Sequence, residues 1–327
     1  MSSVPRVAVR NERRQKLGKI EAARHKARDM IGKKTWQRTM ASRVEEGKAV
    51  VSRLAGALIR AFIVMVLCAT PSVLLPGTGS DEKQMVALVA LFAGMLTFVE
   101  YNATYPGLIE FRDAPPFNRV RFFVLFLTVF CLTIIARSSI YPTTISRLVE
   151  ALGMVIGQGM DFPYSPIRLA TLMMADGASQ DQVIAVRTAA GMAYLISLIG
   201  LSVFVILLKL HDWPSKAGAF NVWVNLPTFD PTTGGDVVSR LDRDARINIA
   251  LGFLLPFLIP AVVKIGSSGF EPLMLTSPQT LIWTMTAWAF LPASLFMRGI
   301  AMGKIADMIR QKRKVHGAME NSGYIAA

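Results

Sequence analysis

The chain has 327 residues, 52% of them hydrophobic and only 18% charged, with a mean hydropathy of +0.42. A soluble domain of this length is less apolar and more charged, so that class is excluded. The two cysteines, Cys68 and Cys131, lie inside apolar runs, which excludes a disulfide-stapled scaffold.

The net charge of +14 sits at the ends. Residues 1–53 hold 15 Lys/Arg against 5 Asp/Glu, residues 298–327 hold 6 against 2, and the stretch between them is balanced. This is the pattern of a membrane core with two basic extensions in one compartment. The expected fold is therefore all-α, a polytopic membrane bundle of about six transmembrane helices. Its divisions are a basic cytoplasmic arm at 1–53, a transmembrane domain at 54–297 and a basic tail at 298–327.

The arm reads as partly helical, although Gly18, Gly32 and Gly47 weaken it. About fifty polar residues precede the first apolar run, so a cleavable signal peptide is not expected and the first span acts as an uncleaved anchor. Arg13, Arg14, Lys16, Lys33, Lys34 and Arg38, with Trp36 among them, are the candidate contacts to anionic headgroups or to an acidic partner. Trp36 within a basic run suits a helix lying on a membrane surface. No fold or aromatic interleaving points to nucleic acid.

Spans are expected near 54–75, 85–101, 120–137, 188–208, 247–263 and 281–297. The second and third are short for a hydrocarbon layer of about 30 Å, and the second must extend through Glu100 and Tyr101. Arg60, Glu100 and Arg137 are ionisable groups at membrane depth, where charge is costly. Arg60 and Glu100 fall at similar depth on neighbouring spans. They are candidates for an ion pair that locks the first hairpin, or else both snorkel separately.

Residues 100–121 form an inner loop dense in aromatics, prolines and both charge signs, including Tyr101, Tyr105, Glu110, Arg112, Asp113 and Arg119. Proline restricts backbone and aromatics seek burial, so an ordered loop is expected. It reads equally as a docking surface or gate and as a cap over the bundle's end. Residues 143–175 contain two short apolar pieces interrupted by Gly157, Gly159, Pro163 and Pro166, which suits interfacial or re-entrant helices better than a span. A seventh crossing would also send the basic tail to the face opposite the arm. Asp161, Asp176 and Asp181, with Tyr164 and Arg168, offer an outward-facing polar site, but they read first as turn and cap residues, with Ser179 capping the fourth span.

Pro256 and Pro260 interrupt the fifth span and Pro292 the sixth. Each removes a backbone hydrogen bond and kinks its helix. Broken helices expose backbone to substrates in transporters, but no acidic residue accompanies these prolines. The pairs Ala90/Gly94, Gly153/Gly157 and Gly299/Gly303 offer close helix contacts. There is no HExxH, G-x-S-x-G, P-loop or GxGxxG, and no Cys/His/carboxylate cluster with metal-ligand spacing, so no enzyme and no cofactor is expected.

Two functional classes stand after this reading. The first is a non-enzymatic accessory, scaffold or assembly component of a complex in the bacterial inner membrane, with both termini cytoplasmic. The second is a small transporter or channel using the kinked fifth and sixth helices. Partner identity, substrate and oligomeric state have no signature in the sequence.

Overall fold

The computed structural model describes residues 45, 47, 48 and 50–321, apart from 175–176, 215–220, 231, 233, 267–274 and 276. The chain divides into two compact units, residues 1–58 and 59–327. The arm candidates Arg13, Arg14, Lys16, Lys33, Lys34, Trp36 and Arg38 lie outside the described residues. The helix packing and the candidate site belong to the second unit.

All regular structure among the described residues is helical. Six helices are long and apolar enough to cross a membrane: α1 (Val50–Leu74), α2 (Ser80–Asn102), α3 (Phe117–Ser138), α6 (Gln180–Leu210), α8 (Val237–Gly266) and α9 (Pro278–Asn321). The protein is a polytopic membrane helix bundle. The helices overrun the apolar runs that announce them. At about 1.5 Å per residue, the 23 residues of α2 and 22 of α3 are long enough to cross the hydrocarbon. α2 gains its length mainly at the start, through Asp81, Glu82 and Lys83. α8 starts ten residues before the apolar run, because Arg240, Asp242, Arg243 and Asp244 continue the helix as a polar extension.

The 143–175 stretch is two short helices, α4 (Thr144–Gly159) and α5 (Pro166–Thr171). Both have explicit start signals. Thr143 and Ser146 form a reciprocal capping box on α4, and Ser165 caps α5 with Pro166 at its first position. The 16 residues of α4 are too few to span the hydrocarbon. Its Leu148, Leu152 and Val155 are exposed along one stripe, while Ser146, Gly153 and Gly157 are buried. A short four-residue helix, α7 (Val222–Asn225), precedes α8.

The core is built around α6, whose Val186, Ala189, Ala190, Ala193, Ile196 and Phe204 are buried, and which packs on α3, α4, α5 and α9. Small residues set the approach. A Cβ on Gly191 would lie 2.5 Å from the Gly153 carbonyl oxygen and 2.5 Å from the Gly157 nitrogen, so α4 and α6 meet backbone to backbone. A Cβ on Gly299 would lie 2.7 Å from the Ala245 carbonyl oxygen, so α8 and α9 also meet closely. Gly94 of α2 packs on Met65 of α1. The rest of α2 exposes Leu88, Phe92, Met95 and Val99, as a helix facing lipid does.

Candidate functional site at the loop end

The end of the bundle at which α2 finishes and α3 begins is organised by residues 103–116. Glu100, in the last turn of α2, turns its carboxylate into this loop. It accepts the backbone N–H groups of Gly107 at 3.1 Å, Leu108 at 2.9 Å and Ile109 at 3.1 Å. The chain therefore curls back on the helix that launched it. Arg112 completes the turn by donating Nη1 to the carbonyl oxygens of Glu100, at 3.0 Å, and Ala103. A cation at the carbonyl end of a helix is favoured by the dipole and satisfies otherwise orphaned acceptors.

Phe111 is the loop's anchor. It is fully buried, has φ +53°, and its ring lies 4.3 Å from that of Phe117 and 6.0 Å from that of Trp213. A large residue at positive φ is strained, and burial of the ring together with a 2.7 Å bond from its N–H to the Asn225 carbonyl holds it there. Asn225 also accepts the Asp113 N–H through Oδ1 at 3.1 Å. The α2–α3 loop and the segment before α8 are thus sewn together.

Glu110 extends this to α9. Its carboxylate takes Nε of Arg298 at 2.6 Å and Nη2 at 2.8 Å, a bidentate pair, and also the Thr228 hydroxyl at 2.7 Å. Burial alone pushes the Glu110 carboxyl up. The hydrogen bonds from Arg298 and Thr228, with the charges of Arg298 and Arg121, outweigh it and hold the group below the ordinary carboxylate range. Farther along α9, Arg310 pairs with Asp242, and Arg313 with Asp236 at 2.6 Å, so the basic extension of α9 lies along the polar start of α8.

The sequence candidates are partly brought together. Glu100, Glu110, Arg112 and Asp113 meet in one ordered loop, as the loop's composition suggests. The expected Arg60–Glu100 ion pair does not form. Glu100 is satisfied by three backbone donors of its own loop, and the Arg60 guanidinium lies over the Tyr101 ring at 4.6 Å. Arg137 stands apart, beside Tyr141 at 6.0 Å. Tyr105 and Arg119 are exposed. Pro256, Pro260 and Pro292 lie within α8 and α9.

Three participants carry no signal in the sequence: Arg298, Thr228 and Asn225. By position alone, Arg298 is only the first charge of the tail. At the opposite end of the bundle, Asp161 is an ion-pair partner of Arg168, at 2.6 Å, and Arg187, at 3.1 Å, not a turn residue alone. Ser179 caps α6 as expected, in a capping box with Gln182. Among the described residues, no group of His, Cys, Asp and Glu is placed to hold a metal ion.

Comparison with protein-family models, with curated proteins and with solved structures gives no match to this chain.

Proposed function

We propose that this protein is a non-enzymatic accessory or scaffold component of a membrane complex, held in the bacterial cytoplasmic membrane with the loop end and both termini on the cytoplasmic side. The observation that supports this reading best lies at the helix kinks. Pro260 has no N–H, which leaves the carbonyl of Pro256 without its helical partner. In a transporter of the broken-helix type such a carbonyl is offered to the substrate. Here the indole Nε1 of Trp288, on α9, donates to it at 3.0 Å, and the bond is buried.

Gly252, whose carbonyl is freed by Pro256 in the same way, packs against the Pro292 carbonyl and the Phe296 ring. The proline-bearing stretches of α8 and α9 thus pack on each other, and the Pro256 carbonyl already has a buried partner within the bundle. The orientation is supported by charge, because the arm, the loop, residues 209–246 and the tail carry 29 of the 36 Lys/Arg. The basic arm is the segment best suited to hold a partner or anionic headgroups.

Purification of the tagged chain in mild detergent, with identification of co-eluting proteins, tests the proposal. The expected result is a stoichiometric partner that is lost when residues 1–50 are removed. A lone particle, together with solute flux into vesicles that contain it, overturns the accessory reading in favour of the channel or transporter.

A further inference from the structure

Beside the ordered loop lies a half-open cavity of about 550 Å³, framed by α1, the end of α2 and the start of α3. Its polar rim carries Arg60, Arg112 and Arg119 against one carboxylate, Asp113. Arg112 is committed, to Asp113 at 3.3 Å and to the carbonyls of Glu100 and Ala103. Among the described residues, Arg60 makes no ion pair or hydrogen bond, only its contact with the Tyr101 ring, and Arg119 has no ion pair or hydrogen bond either. The contact with the ring holds the Arg60 guanidinium at the cavity while leaving its N–H donors available. The cavity thus presents two uncompensated positive charges, on α1 and on the first turn of α3.

The opposite wall is apolar. Ile63, Val64, Phe122 and Phe123 line it, and all four belong to helices able to cross a membrane. A soluble anion gains nothing from such a wall, whereas a molecule with a charged head and a hydrocarbon tail fills both halves. Guanidinium groups suit phosphate oxygens because their fixed N–H fork matches them. Basic pockets between helix ends on the charged side of a membrane have this composition when they hold an anionic headgroup.

We propose that this cavity is a specific site for an anionic phospholipid, with Arg60 and Arg119 gripping the phosphodiester and an acyl chain lying along Ile63, Phe122 and Phe123. The site is independent of the accessory role and of the basic arm.

Native mass spectrometry of the full-length protein tests it, after equilibration in mild detergent with equal phosphatidylglycerol and phosphatidylcholine. The wild type retains one phosphatidylglycerol per chain in preference to phosphatidylcholine, and millimolar inorganic phosphate does not displace it. The double variant Arg60→Gln/Arg119→Gln loses occupancy about ten-fold or more, as two headgroup contacts imply. Arg147→Gln, an exposed charge on α4, leaves occupancy unchanged. Helix content and elution volume report whether the double variant folds. If it does not, Arg119→Gln alone is read, with a partial loss expected.

Equal retention of the two lipids overturns the proposal, as does unchanged binding in a folded variant or equal loss in Arg147→Gln. Displacement by inorganic phosphate overturns it in favour of a small-anion site.

Discussion

Glu110 is the residue on which the loop end turns, because its carboxylate joins the α2–α3 loop, the segment before α8 and α9 at one point. Its side chain is 11% exposed and that of Arg298 is 27%, so the pair is shielded but not dry. Glu110→Gln keeps the shape and removes the charge, leaving Arg298 and Arg121 facing one another. A loss of about 1.5–3 kcal/mol is expected, the range for hydrogen bonds to charged groups, seen as a lower melting temperature in detergent with unchanged helix content.

The same group gives a pH dependence. Its folded pKa lies below the unfolded value, so its stabilisation is complete above the unfolded carboxylate value of about 4.3 and is lost as pH falls through the lower folded value. Melting temperature should decline in the wild type below about pH 4, with a shallower decline in Glu110→Gln. Glu110 was legible in the sequence, as part of a loop too rich in proline and aromatics to be a spacer. Its partner was not, because 188 positions separate the two residues and no local spacing joins them. The Arg60–Glu100 pairing failed for a related reason. Opposite charges at equal depth are attractive, but Gly107, Leu108 and Ile109 offer three donors that need no second helix, and Arg60 lies over the Tyr101 ring instead.

Among the elements, α4 and α6 approach each other backbone to backbone. Gly191→Ala would put a Cβ 2.5 Å from backbone atoms of Gly153 and Gly157, atoms that cannot rotate away. It should cost about 1–3 kcal/mol or more, the usual range for overpacking, read as a fall in melting temperature. Gly94→Ala should be milder, because what it meets first is the flexible Met65 side chain, with Cγ at 2.6 Å. Equal losses in the two variants would contradict this account of the packing. The Gly153/Gly157 pair was visible as a spacing, but its receiving surface, Gly191 and Thr188, was not. The six long helices were readable, since apolar runs announce membrane helices, whereas the four-residue α7 was not. Helix ends were less legible: the run of the sixth span into a basic helix near Lys314 was readable, but the polar beginning of α8, held through Arg310–Asp242 and Arg313–Asp236, was not revealed by composition. The prolines were readable, but the bond from Trp288 to the Pro256 carbonyl was not, because it joins two helices across 32 positions.

For the whole molecule, the proposed topology has an even number of crossings, which puts the loop end and the far extension of α9 in the same compartment and the turn after α3 in the other. The lipid cavity, the Glu110 junction and the proposed orientation all stand on that arrangement, since a seventh crossing by α4 and α5 would carry α9 to the wrong face. Single cysteines in place of Asp113 in the loop, Lys314 on α9 and Ile140 after α3, all outside the apolar windows, report it directly. Labelling with a membrane-impermeant maleimide should modify Asp113→Cys and Lys314→Cys from one face only, and Ile140→Cys only from the other. Lys314→Cys reacting from the same face as Ile140→Cys would contradict the six-span bundle.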